Sequence, residues 1–168
     1  MNVNKLELPE FNSNIFLSAF PGRQLDNQFS SEVMEKLFDY FETNKCQHLL
    51  TLNELKEFNE FCGFDYFTKT VVKRSFDWHH MPIQDFDVPD REFLKQFLTI
   101  RDTLVDTIKL GNDIAIHCKG GLGRSGTVAA IILIELGINA KTSINRVRNA
   151  RAGAIENKIQ EEFILGWT

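Results

Sequence analysis

The chain is short of cysteine. Cys46, Cys62 and Cys118 are the only three in 168 residues. They are too few and too scattered for a disulfide framework, and their spacing fits no zinc-site pattern. Positive charge is also lacking: 19 Lys and Arg stand against 23 Asp and Glu, for a net charge of −4. That excludes a general affinity for nucleic acid through a basic surface, while leaving room for one positive cleft. No long hydrophobic run occurs. The longest, residues 128–136, is interrupted by Glu135 and is too short to span a bilayer. The opening MNVNKLELPEFN lacks the apolar stretch of a secretory signal. These absences predict a soluble, cytoplasmic protein with no membrane insertion. Of the four histidines, His79 and His80 are adjacent, which is poor geometry for one metal. Neither they nor His48 has an acidic or cysteine partner at a known spacing. They read as packing residues, with no metal expected. Without repeat, linker or low-complexity segment, the chain reads as one domain, 1–168.

What is plentiful is phenylalanine, with 15 copies in a chain that is otherwise 43% hydrophobic and 25% charged. That is globular composition, with a core expected to rest on aromatic packing. Residues 15–20 read as a strand closed by Pro21-Gly22. Ser31 is placed to cap a helix through Val33, Met34, Leu37, Phe38 and Phe41. Residues 47–52 form a second strand, and Asn53 caps a short helix carrying Leu55, Phe58 and Phe61. The β-branched stretch 70–76 reads as a third strand, followed by the loop WHHMPIQDFDVPD. Asp90 caps a helix whose apolar stripe runs from Phe93 to Ile108 and which ends near Gly111. Residues 113–117 form a buried strand, 127–136 a helix, and two more helices occupy 140–149 and 157–167. Strands alternating with helices predict an α/β fold, with a mainly parallel sheet flanked by helices. Ligands of such sheets gather beyond the carboxyl ends of strands, where Cys118 falls.

The segment His117-Cys118-Lys119-Gly120-Gly121-Leu122-Gly123-Arg124-Ser125-Gly126 is a strand, a tight loop and a helix start. Its glycines permit backbone angles that turn successive amides inward as an anion nest. The helix adds the positive end of its dipole, and Arg124 can hold two phosphate oxygens through its planar fork. The same groups favour thiolate at Cys118, since cysteines so placed titrate at roughly 3.5 to 7.5 rather than about 8.5. A thiolate at the base of a phosphate cradle is a nucleophile aimed at phosphorus. A Walker-type loop needs Lys followed by Ser or Thr after its last glycine, and Arg124 stands there instead. A purely connecting turn leaves the flanking cysteine and arginine unexplained.

HCKGGLGRS resembles the His-Cys, five residues, Arg-Ser/Thr signature of the protein tyrosine phosphatase superfamily. Within it the chain is most similar to the dual-specificity branch, and there to the kinase-associated phosphatases, which act on cyclin-dependent kinases. The likeness runs from Trp78 to Phe163 through HHMPIQDFDVPD, the signature and RAGAIENKIQEEF, and LSAFPG resembles the family's opening strand and turn. Low-molecular-weight phosphatases and arsenate reductases carry their cysteine loop near the amino terminus. Rhodanese-like loops do not match this pattern.

The resemblance implies a metal-independent phosphomonoester hydrolase without cofactor, working through a phosphocysteine on Cys118. Its substrate would be a phosphorylated protein, with a kinase as the candidate partner. Arg124 and the loop residues Lys119, Gly120, Gly121, Leu122 and Gly123 would bind phosphate. Asp85, in PIQDFDVPD, matches the general acid that also activates water, with Asp87 as its rival; Asp90 is a helix cap. Ser125 matches the hydroxyl that stabilises the departing thiolate, or caps the helix, or both. His117 matches the histidine that fixes loop geometry. Gln160 resembles a glutamine that positions water in part of the family, and reads equally as a surface helix residue. Lys119 also occurs in phosphoinositide phosphatases, which carry a second lysine where this chain has Leu122. Arg148 and Arg151, on the helix and loop after the signature, read either as reaching a negatively charged substrate or as exposed arginines with no specific role. Two alternatives remain open: phosphoinositide or RNA 5′-phosphate as substrate, and a catalytically silent module that binds phosphorylated partners.

Overall fold

The structure, a computed structural model, describes residues 3–167; the expected domain span reaches residues 1, 2 and 168, which lie outside the described residues. Five strands form one sheet: β1 (Val3–Leu8), β2 (Ser13–Ser18), β3 (Cys46–Thr51), β4 (Asp77–His80) and β5 (Asp113–His117), ordered β1-β2-β5-β3-β4. Every pairing is parallel except that of β1 with β2. Seven α-helices accompany it: α1 (Ser31–Thr43), α2 (Leu55–Phe58), α3 (Phe64–Val71), α4 (Arg91–Lys109), α5 (Gly123–Glu135), α6 (Ala140–Ala150) and α7 (Lys158–Leu165). The α/β class and mainly parallel sheet are as expected.

β5 lies at the centre because it can. All five of its residues are buried, and a parallel strand covered on both faces needs such an unbroken run. Its register sets His117 beside Ser18 of β2 and Thr51 of β3, so three strand ends converge where the cysteine loop begins. On one face, α4, α5, α6 and α7 enclose an aliphatic core that includes Ile114, Ile116 and α5 residues 128–133. On the other face, Phe16, Phe20, Phe38, Phe41, Phe58, Phe67 and Phe76 pack edge-to-face or tilted, which is where the phenylalanine goes.

Three local readings are corrected. Residues 70–76 are not a strand: Thr70 and Val71 close α3, and the strand on that edge is β4, inside what reads as a loop. Burial of Phe67 and Val71, one helical turn apart, outweighs the β-branched propensity. β1 goes unseen because only Leu6 and Leu8 are buried in a strand otherwise made of polar residues and a half-buried Val3. Helix caps shift by one residue: Ser30, not Ser31, accepts from the Val33 amide. Glu54, not Asn53, caps α2 in a reciprocal box with Glu57.

Candidate active site

β5 delivers Cys118 to the carboxyl edge of the sheet, and α5 begins at Gly123, two residues before Ser125. The loop between them has room for only one kind of residue at its turn. Gly121 adopts φ +72°, and a Cβ there would overlap the Ser18 backbone at the end of β2. That close approach brings the Gly121 N–H to 3.1 Å from Cys118 Sγ. Cys118 is buried, 3% exposed, and the Ser125 hydroxyl lies 3.6 Å from its sulfur. Ser125 is therefore not a cap; it sits in the first turn of α5 and faces the thiol. One expected amide is turned elsewhere: the Gly123 N–H donates to Glu156 Oε2 at 2.8 Å. Leu122 and Gly120 are half-buried in the loop, and Lys119 reaches outward to Glu60 Oε2 at 2.6 Å.

Arg124 is the largest fully buried side chain, 1% exposed. Its fork is held by Glu57, with Nη1 to Oε2 at 2.7 Å and Nη2 to Oε1 at 2.8 Å. Nη1 also donates to the carbonyls of Ile83 (3.1 Å) and Leu52 (3.5 Å), and Nη2 meets Asp85 Oδ1 at 2.9 Å. Burial by itself pulls a guanidinium's pKa down. Here the Glu57 hydrogen bond, with the charges of Cys118, Glu57 and Asp85, more than offsets that, and the group is held firmly cationic. Asp85 is 39% exposed, within reach of both Arg124 and solvent. Asp87 is exposed, and its carboxylate is occupied by the neighbouring Val88 amide. Each carboxylate accepts from the next residue's amide, Asp85 from Phe86 at 3.2 Å and Asp87 from Val88 at 2.8 Å, and Asp85 also meets the arginine.

A family model described as Tc-R-P, polymorphic toxin system, DSP-PTPase phosphatase, matches residues 25–138. The chain belongs to the dual-specificity branch of the protein tyrosine phosphatases. A probable protein tyrosine phosphatase type IVA A of Dictyostelium discoideum is 32% identical over 116 residues, covering 65% of this chain and 68% of its own. The tyrosine-protein phosphatase cdc-14 of Caenorhabditis elegans is 29% identical over 131 residues, which are 77% of this chain; the match spans only 16% of the nematode protein. The fold is similar to that of a kinase associated phosphatase whose catalytic site cysteine is replaced by serine, with TM-score 0.79 and 24% identity, covering 98% of this chain and 92% of that one.

Several residues of this phosphatase fold were not legible as site residues. Glu57 and Glu156, both bonded to the cysteine loop, sit in segments that read as ordinary amphipathic or turn sequence. Gln160 is buried, not on a helix surface: its Oε1 accepts from the Glu156 amide (3.0 Å) and its Nε2 donates to the Asp87 carbonyl (3.2 Å). It joins the acid-bearing loop to the region beside Gly123. Asn157 adds a bond from Nδ2 to the Phe86 carbonyl at 2.8 Å, where Phe86 takes the strained φ of +60°. Arg151 is buried rather than exposed, while Arg148 is half-buried and spans the Ala154 and Ile155 carbonyls and Glu161.

The remaining histidines and cysteines divide cleanly by location. His48 Nδ1 lies 3.1 Å from His79 Nε2 at the β3–β4 edge, and His80 donates to the Asn53 carbonyl at 2.8 Å. Among the described residues no group of three or more His, Cys, Asp or Glu is arranged to hold a metal. Burial pushes the Cys46 thiol well up and the Cys62 thiol to about 11, so neither is poised to react. Among the described residues no helix is long and apolar enough to cross a membrane.

His117 is fully buried between Phe20 and Phe67, its Nε2 2.7 Å from Thr51 Oγ1. Thr51 Oγ1 also accepts from Trp78 Nε1 (2.9 Å), so one hydroxyl ties the His117 ring to both β3 and β4. Burial pushes the pKa of His117 down to about 3, assisted by the nearby positive charges of His80 and Arg124 against a partial offset from the Cys118 main chain. The folded state then refuses a proton that the unfolded chain accepts below about pH 6.5. Stability contributed by the neutral ring is complete above that pH and is lost as pH falls toward 3, at up to about 1.4 kcal/mol per pH unit. Urea unfolding of wild type and His117→Gln at pH 7 and pH 5 should show a shallower pH dependence in the variant. Equal slopes would assign the loss to other groups.

Proposed function

We propose that the protein hydrolyses phosphomonoesters by way of a phosphocysteine on Cys118, without metal. The observation that carries this reading is the Gly121 N–H pointed at Cys118 Sγ at 3.1 Å in a loop whose other end supplies the buried Arg124 fork. An amide donor at the sulfur and the nearby charge of a guanidinium favour an anion there and an oxyanion beside it. Sulfur attacks phosphorus; the S–P bond forms as the P–O bond to the leaving group breaks. Asp85, open to solvent on one side and to Arg124 on the other, gives its proton to the departing oxygen. Water then attacks phosphorus, loses a proton to Asp85 and releases inorganic phosphate, while Ser125 Oγ donates to the leaving sulfur. Glu57 holds the Arg124 fork in plane, and Gln160 with Asn157 fixes the Asp85 loop relative to the cysteine loop.

Phosphoprotein is the favoured substrate class, with a phosphorylated kinase as the candidate partner. Lys119 is the one extra cation of the loop, and Glu60 neutralises it at 2.6 Å. Leu122 adds no charge, so the clustered positive surface that an inositol phosphate requires is absent from this loop. The pairing of Asp85 with Arg124 at 2.9 Å favours it over Asp87 as the general acid. Asp85→Ala is expected to lower kcat about 10²- to 10⁴-fold for substrates with poor leaving groups, and far less for p-nitrophenyl phosphate. Asp87→Ala should change both by less than about threefold, as an exposed loop acid. Steady-state kinetics in a metal chelator, with orthovanadate as inhibitor, test the reading. A wild-type chain that is inert to every phosphomonoester but still binds phosphopeptide would replace it with a silent binding module.

A further inference from the structure

The cysteine loop has to keep its amides turned inward although its sequence resists very little. Gly120 and Gly121 lack side chains, so the peptide between them can rotate at small cost. In a trans peptide the carbonyl and the N–H point in opposite directions across one plane. Whatever holds the Gly120 carbonyl outward therefore aims the Gly121 N–H inward. That carbonyl accepts from Arg151 Nη2 at 2.9 Å, and the Gly121 N–H on the other side of the same plane meets Cys118 Sγ at 3.1 Å.

The preceding peptide is held by a different arginine. The Lys119 carbonyl accepts from the Phe20 amide (3.2 Å) and from Arg23 Nη1 (2.6 Å), so the extension of β2 and Arg23 fix it together. The Gly120–Gly121 peptide is anchored on its outer side by Arg151. Arg151 follows α6, is 5% exposed, and is braced by Nη1 against Asn4 Oδ1 of β1 (2.5 Å) and the Leu17 carbonyl of β2 (3.5 Å). Burial pulls its pKa below the ordinary guanidinium value, with the Cys118 charge opposing. An exposed strut between β1 and the sheet would need no such burial.

We propose that Arg151 is a positioning residue for the phosphatase reaction: it locks the Gly120–Gly121 peptide so that the Gly121 amide serves the sulfur and the bound phosphoryl oxygens. The inference rests on the phosphatase reading of the site. Loss of the lock lets the plane turn and presents a carbonyl oxygen where anion is bound. Lysine retains the charge but offers no planar fork to reach Gly120, Leu17 and Asn4 together.

The full chain carrying Arg151→Met, Arg151→Lys or Asn4→Ala is compared with wild type for p-nitrophenyl phosphate kinetics, orthovanadate inhibition and the Gly121 amide resonance. Both Arg151 variants are expected to lose roughly 10- to 100-fold in kcat/KM, less than the roughly 10²- to 10³-fold that follows outright removal of an oxyanion donor, because the amide is turned and not deleted. Their vanadate Ki should rise in parallel and the Gly121 amide should shift. Asn4→Ala removes one brace of the same side chain but leaves the bond to the Gly120 carbonyl, and should lose less in both kcat/KM and vanadate inhibition than either Arg151 variant. If Arg151→Met does not fold, Arg151→Lys decides by the same readings on its folded fraction. Arg151 variants with kcat/KM and vanadate Ki within twofold of wild type and an unmoved Gly121 amide would overturn the proposal. A wild-type chain that neither turns over substrate nor binds vanadate would instead overturn the phosphatase reading itself.

Discussion

Cys118→Ser is expected to retain phosphate in the loop and to lose turnover by roughly four orders of magnitude or more. The reason is confined to one atom. The Arg124 fork, the Gly121 amide and the dipole of α5 all remain, because none of them depends on sulfur for its position: Arg124 is set by Glu57 and the Ile83 carbonyl, and the Gly121 amide by the hold of Arg151 on the Gly120 carbonyl. A serine hydroxyl in the same place is a far poorer nucleophile, and no base lies on the loop to activate it. His117 would be the obvious candidate, but its ring is buried and hydrogen-bonded to Thr51 on the far side. Acid quench of wild type during turnover of labelled substrate should trap phosphate on the protein, and the variant should trap none. Turnover by the serine variant at a rate near that of wild type would end the covalent scheme.

Glu57 carries the largest expected effect outside the cysteine. It is buried, 2% exposed, and shares two hydrogen bonds with a buried guanidinium. Breaking a buried pair by removing one partner typically costs about 3 to 5 kcal/mol, because the other charge stays desolvated and unmatched. Against a total stability of roughly 5 to 15 kcal/mol for a domain of this kind, Glu57→Gln is expected to be marginal at 37 °C and to raise KM sharply as the fork loses its frame. Burial alone would push the Glu57 carboxyl up; the Arg124 hydrogen bond and charge outweigh it, and the carboxyl is held below its ordinary range. Since its folded pKa is depressed, its contribution is present above the unfolded value of about 4.3 and disappears as pH falls through the folded one. Urea unfolding should therefore show wild type losing its advantage over Glu57→Gln below about pH 4. A variant as stable as wild type at pH 7 would mean that Ile83, Leu52 and Asp85 suffice for Arg124.

The chemistry-bearing loop was legible because it is contiguous. Cysteine, glycines and arginine lie within one strand-loop-helix segment, and local backbone geometry alone relates Cys118, Gly121, Arg124 and Ser125. Asp85 was singled out through a resemblance over the loop that carries it, and it stands 2.9 Å from Arg124. Glu57, Glu156 and Arg151 were not legible, since each meets the loop across 30 residues or more of intervening chain. A lone glutamate in a short helix, or an arginine after one, has the same local pattern whether it faces solvent or a buried cation. The strand at 77–80 and the helix at 64–71 were misread for a related reason: Thr70, Val71 and Val72 favour a strand by themselves, and only packing of Phe67 and Val71 into the aromatic layer settles the helix.

The order of residues from His117 to Gly126 placed the proposed nucleophile, the glycine backbone and the cation in one segment, because glycine torsions, a helix start and a planar guanidinium are properties of a short stretch of chain. Tertiary structure decided which carboxylates surround that cation, which amide faces the sulfur and which is taken by Glu156, and whether an arginine is spent on solvent or on the back of the loop. Those outcomes follow from burial, which makes a charge or a peptide dipole costly unless a partner stands at hydrogen-bond distance, and a partner brought from a distant segment exists only once the sheet has closed.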